Sequence, residues 1–227
     1  MSALIVIVLL VCLILGPQIW AKHVLQKYSE PVAHFPGNGA QLARHILDKF
    51  SLQQIAVEVT EQGDHYDPLA RSVRLSADHY DRKSLAAVAV AAHEVGHAIQ
   101  HALDYRPLRL RTRLVQWVQW AEKGGVLFVM LIPVIMGITR SPLGGVASFA
   151  IAAGLFCLPV IVHLVTLPVE WDASFGRALP ILRAGGYFSA EELIVIQRIL
   201  RACAFTYVAA SLSSLLNFWR WIAIVRR

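Results

Sequence analysis

Long stretches without a single charged side chain constrain this sequence most. Residues 1–21 carry none, and neither do the runs Gly124–Thr139, Ser141–Val169 and Ala202–Trp219. A bilayer core is crossed by about 20 apolar residues. The runs therefore predict a mainly α membrane protein with about four transmembrane helices. An anchor covers 1–21, a helical hairpin covers 114–169, and a last helix covers 202–227. Composition agrees: 56% of the chain is hydrophobic and only 16% is charged, where soluble domains carry about a quarter. The first basic residue, Lys22, follows the first run instead of preceding it, so an uncleaved anchor is expected in place of a signal peptide.

The remaining residues form two polar blocks, 22–113 and 170–201. A hairpin between them returns the chain to the side it left, so both blocks share one face. Lys22, Lys27, Arg106, Arg109, Arg111, Arg113, Lys123, Arg177, Arg183, Arg198 and Arg201 lie on that side, against Arg140, Arg220, Arg226 and Arg227 opposite. This bias predicts the cytoplasmic side for the polar blocks. The net charge of +6 follows from the same residues. No basic stripe is interleaved with aromatics, so no nucleic-acid partner is expected. Cys12, Cys157 and Cys203 are far apart and set in apolar sequence, which predicts buried free thiols and no disulfide framework.

Within the first block, Asn38 caps a helix over Ala40–Phe50. Ile55–Thr60 and Arg71–Ser76 alternate as half-buried strands and are expected to pair as a hairpin across turn residues Gly63 to Pro68. Ser84 caps a helix from Leu85 to about Ala102, whose Ala- and Val-rich first turns imply burial on most sides. In the second block, Ser189 and Glu192 have capping-box spacing before a helix over Leu193–Leu200.

The helix after Ser84 carries His93-Glu94-Val95-Gly96-His97. Positions i and i+4 lie on one helical face, so two imidazoles there can converge on one metal. Glu94, rotated by about 100°, is not a ligand but can reach a metal-activated water. This is the H-E-x-x-H device of two ligands and a general base. It predicts a zincin-like catalytic unit with a small β-hairpin or sheet, holding one Zn2+ per chain.

A catalytic zinc needs a third protein ligand. His101 continues the face but lies roughly 12 Å from His93 along the axis, too far to share the ion. Gln100 and Leu103 do not fit the metzincin pattern, which has glycine and histidine there. Glu170, the first charge after the third run, is the candidate expected. Asp172 competes as a ligand or, better, as the group that orients a zinc histidine.

Several blocks together resemble the YugP-type neutral zinc metallopeptidases, a family of bacterial membrane proteins. They are Leu42-Ala43-Arg44, Asp64-His65-Tyr66-Asp67-Pro68, Val73-Arg74-Leu75-Ser76 and Ala91 through Gln100. Leu167 through Ser174 and Thr206-Tyr207-Val208-Ala209-Ala210 complete the set. The resemblance implies membrane-bound, zinc-dependent peptide hydrolysis in the bacterial cell membrane. The chain is also distantly similar to the HtpX and CAAX-protease type, which uses two histidines plus a glutamate three residues before an alanine. Glu170 and Ala173 match that spacing, while Ser174 stands where those relatives carry aspartate.

The expected function is a membrane-embedded zinc endopeptidase acting on membrane-proximal proteins or peptides. Zinc sits on His93, His97 and Glu170, and Glu94 is the general base. His65, Tyr66 and Tyr207 are candidate donors to the oxyanion. The segment Ser72–Ser76 is a candidate edge for an extended substrate. The alternative is a catalytically silent zinc-binding scaffold or chaperone-like binder.

Overall fold

The computed structural model describes residues 2–139, 151, 154, 158 and 161–206. Helix α1 (Ser2–Lys27) is followed by α2 (Gly39–Lys49), strands β1 (Ala56–Val59), β2 (His65–Asp67) and β3 (Ser72–Leu75), and a short helix α3 (Ala77–Tyr80). Then come α4 (Leu85–Ala102) and the long α5 (Arg106–Thr139). After the described part of α6 (161–171) the chain widens into a π-helix, Asp172–Ala178, and continues as α7 (Leu179–Gly185). A last described helix, α8, covers 190–206.

Capping fixes the starts of the helices that build the centre. The Asn38 side chain accepts from the Gln41 backbone N–H, and the Gln41 side chain accepts from that of Asn38, a reciprocal capping box that satisfies two orphan donors of α2. Ser84 Oγ accepts from Ala87 N at the start of α4. Ser189 and Glu192 exchange the same pair of bonds before α8.

Helix α4 is the centre of the molecule. Every residue from Ala86 to Gln100 is buried. The small side chains of Ala86, Ala87, Ala89 and Ala91 let neighbours approach on several sides. α2 packs on it through Ile46 and Leu47, the sheet through Val73 and Leu75, and the second polar block through Leu182, Ile196 and Ile199. Full burial of such side chains stabilises by about 1.5–3 kcal/mol each.

The sheet order is β1-β3-β2. The expected hairpin between the first and last of these strands does not form, because β1 and β3 run parallel. A parallel pair needs a crossover, and residues 60–71 supply it. Part of that crossover, expected as turn, is itself a strand: β2 pairs antiparallel with β3, with Tyr66 opposite Val73. β3 is therefore internal. Both of its edges are occupied, so Ser72–Ser76 offers no free edge to a substrate.

The expectation of about four transmembrane helices is overturned. Among the described residues, no helix is long and apolar enough to cross a membrane. In α5, Arg106, Arg109, Arg111 and Arg113 occupy the first turns and Glu122 and Lys123 interrupt the middle. The remaining stretch, Gly124–Thr139, spans about 24 Å at 1.5 Å per residue, short of a core about 30 Å thick. α1 carries Lys22, His23 and Lys27 in its last turns. The expected turn at Arg140 and most of the expected last helix, 207–227, lie outside the described residues. Cys12 is exposed and Cys203 half-buried, so burial holds for neither in full; Cys157 lies outside the described residues.

Candidate metal centre

Two buried segments, 77 residues apart in sequence, supply the site. α4 presents His93 and His97 one turn apart, with ring centroids 4.7 Å from each other. The end of α6 presents Glu170, which is 1% exposed. Close packing of the two segments depends on Gly96: a Cβ there would stand 2.7 Å from the Ala173 carbonyl oxygen. Only glycine leaves room for the π-helix to cross at that point.

Glu170 Oε2 lies 3.0 Å from His93 Nε2 and 3.3 Å from His97 Nε2. These three residues could hold a metal ion, with ligand atoms within 4.8 Å of one another. Bonds of roughly 2.0–2.1 Å to a tetrahedral zinc imply edges of about 3.3 Å between ligand atoms, close to what is found.

The hydrogen bonds behind the histidines sharpen this fit. Gln100 Nε2 donates to the Val169 carbonyl and to Asp172 Oδ2, both at 2.8 Å. The Gln100 amide oxygen is therefore the acceptor facing His97 Nδ1 at 3.0 Å, and that nitrogen carries a proton. The Nε2 of a neutral His97 then has only a lone pair to turn toward Glu170 Oε2. Two acceptors this close repel unless a cation lies between them. His93 Nδ1 likewise meets Ser174 Oγ at 3.0 Å, an oxygen able to accept its proton. The other carboxylate oxygen, Glu170 Oε1, is buried and has no hydrogen-bond partner among the described residues, so it too is open to an ion. The donor set of two imidazoles and a carboxylate suits zinc.

Electrostatics separate the two glutamates. Burial pushes the Glu94 carboxyl up to about 7, with the charge of His93 opposing and those of Glu170 and Asp64 adding. Burial would raise Glu170 as well, but His97 and His93, when protonated, outweigh it and hold its carboxyl well below the usual range; a cation between neutral rings and the carboxylate would act in the same sense. One carboxyl is thus poised to exchange a proton near neutral pH while the other stays an anion.

Of the other residues expected at the site, Asp172 is not among the three that converge. It reaches His97 through Gln100, and Arg177 donates to it at 2.8 Å. Tyr66 turns its hydroxyl to His101 Nδ1 at 2.7 Å, and burial pushes that phenol up to about 12. Its backbone N–H serves Glu94. His65 keeps Nδ1 on the Gly63 carbonyl at 2.8 Å, yet lines a small cleft at the site. Tyr207 lies outside the described residues.

That cleft, about 80 Å³ in volume, is walled by Asp64, His65, Tyr66, Glu94, His97 and Glu170 on one side and by Leu108, Arg111 and Thr112 of α5 on the other. Sequence reasoning did not single out Gln100 or Arg111. Gln100 is three residues beyond His97 and so on the same helical face, a weak signal. Arg111 looked like one of several basic residues beside an apolar run.

The chain has counterparts among known proteins. A family model described as "Putative neutral zinc metallopeptidase" matches residues 3–226. The chain is 38% identical over 216 residues to "Putative membrane protease YugP" of Bacillus subtilis (strain 168), covering 92% of this chain and 92% of that protein. No solved structure matches it. By the length of that match, and with a two-histidine, one-glutamate centre inside it, the chain belongs to this family of neutral zinc metallopeptidases.

Proposed function

We propose that the protein is a zinc-dependent endopeptidase that works at the bacterial cell membrane and hydrolyses peptide bonds in membrane-proximal proteins or peptides. One observation carries the reading: His93, His97 and Glu170 converge beside a buried Glu94 whose carboxyl is raised to about 7. Zinc, when bound there, supplies a Lewis acid that lowers the pKa of water and polarises a carbonyl. Ser174 and Gln100 hold the two rings with Nε2 turned toward Glu170. Glu94 takes a proton from the attacking water and passes it to the leaving nitrogen, a role suited to a group titrating near the working pH. The narrow cleft keeps bulk water from these groups.

Placement at the membrane is supported by the name of the Bacillus subtilis relative. It is also supported by apolar side chains left in the open along α5, among them Trp117, Met130 and Ile138, a pattern that marks lipid or protein contact. Arg106, Arg109 and Arg113 beside that length favour the anionic cytoplasmic leaflet.

The test is cleavage of a quenched fluorescent peptide library by zinc-loaded protein, wild type beside Glu94→Gln. Cleavage by the wild type and its loss in the variant, with zinc retained in both, is the expected result. Undiminished turnover in Glu94→Gln would remove the general base. Zinc without cleavage in either protein would favour a silent binder.

A further inference from the structure

We infer that Arg111 is the residue that holds the carbonyl oxygen of the bond being cut. The inference rests on the peptidase reading above and assigns a substrate-contacting role within it.

The cleft beside the metal centre is rich in acid: Asp64, Glu94 and Glu170 all line it. Arg111, reaching in from α5, is the one lysine or arginine among its described lining residues. Among the described residues it makes no ion pair, whereas Arg109 beside it pairs with Asp104 at 2.9 Å. Arg111 thus lines the site without an ion-pair partner among the described residues, and Leu108 and Thr112 of the same helix line it too. A titratable neighbour is His163 on α6, which burial and then the charge of Arg111 hold below the usual imidazole range and so toward the neutral ring.

Three other donors at the cleft are engaged. The Tyr66 hydroxyl bonds His101, and its backbone N–H is used by Glu94. His65 holds Gly63 through Nδ1. A guanidinium is permanently charged and planar and offers five N–H donors, so it meets a developing oxyanion without giving up a proton. In the step itself, water oxygen bonds to the carbonyl carbon, Glu94 receives the water's proton, and the C=O pair moves onto the carbonyl oxygen facing Arg111. The C–N bond then breaks, the oxygen pair returns to carbon, and Glu94 passes its proton to the departing nitrogen. Arg111 stays charged throughout.

The test compares wild type, Arg111→Ala, Arg111→Lys and Arg111→Gln, all full-length and zinc-loaded. The probes are a quenched fluorescent peptide library and a phosphinic tripeptide, whose anionic P–O stands in for the oxyanion. In Arg111→Ala, kcat should fall roughly 100-fold and phosphinic affinity by a similar factor, as for other lost oxyanion donors. KM should move by less than about threefold, zinc content should not change, and added guanidinium should restore part of kcat. The lysine variant should fall between. Unaltered kcat and phosphinic affinity in Arg111→Ala, or a change confined to KM, would overturn the inference. If the alanine variant loses helical circular dichroism or zinc, the lysine and glutamine variants decide by the same two readouts. If the wild type cleaves nothing, that counts against the peptidase reading, and the phosphinic affinities alone decide for or against Arg111.

Discussion

Gly96 and Ala173 touch backbone to backbone: any side chain on Gly96 would meet the Ala173 carbonyl oxygen at 2.7 Å from its first carbon. The glycine inside the metal motif is thus the point where the two ligand-bearing segments are pressed together. Gly96→Ala should push the π-helix off α4. Overpacking of this kind costs about 1–3 kcal/mol. The expected outcome is a lower melting temperature together with weaker zinc retention, read by calorimetry and metal analysis on the same preparation. Full zinc retention at an unchanged melting temperature would show that the crossing can give way.

Glu170 should be indispensable for metal. Glu170→Ala removes the carboxylate and leaves His93 and His97 facing an empty space. Zinc per chain, measured after loading and dialysis, should drop from about one to a small residue, because two imidazoles alone do not complete the shell. Equal zinc in both proteins would move the third ligand elsewhere.

Gln100 should matter by holding both His97 and the Val169–Asp172 stretch that carries Glu170. Gln100→Leu keeps the volume but removes the acceptor for His97 Nδ1 and the donor to Asp172. Loss of such a partner typically lowers metal affinity 10–100-fold. Competition with a chelator of known affinity measures it. Asp172→Asn, which leaves an acceptor oxygen for Gln100, should do less.

Asp64 links stability to pH. Burial alone would raise its carboxyl, but His79 and the Ser76 backbone and hydroxyl outweigh burial and hold it below the ordinary value. The folded chain therefore releases this proton at lower pH than the unfolded chain. Its contribution is complete above the unfolded pKa, about 4, and is lost as pH falls through the folded value. The gap in urea midpoint between wild type and Asp64→Asn should be widest near neutral pH and close in acid. A gap that does not change with acid would assign Asp64 a purely packing role.

Some of this was readable from residues alone. The four-residue step from His93 to His97 and the cap at Ser84 are local signals, and a helix obeys them wherever it sits. Glu170 was marked by standing at the end of a long charge-free run. The sheet was harder, because β2 is three residues long and hides among Gly63, Asp64 and Pro68, all of which read as turn. Without it the parallel pairing of β1 with β3 has no visible cause. Charge-free length also misled: it measures what a run lacks and not how the helix containing it is divided, as the arginines at the start of α5 show. Gln100 is a single amide in an apolar helix, and only the position of Val169 and Asp172 reveals its use.

The 77 residues that separate His93 from Glu170 also set a timetable. As the chain leaves the ribosome, the two imidazoles and Glu94 emerge long before the carboxylate that completes their set. Since metal affinity is gained only when all ligands are fixed by folding, a half-made chain holds no competent centre. Under the proposed peptidase reading, the nascent chain is thereby kept from cutting its neighbours until its second polar block has been made and docked.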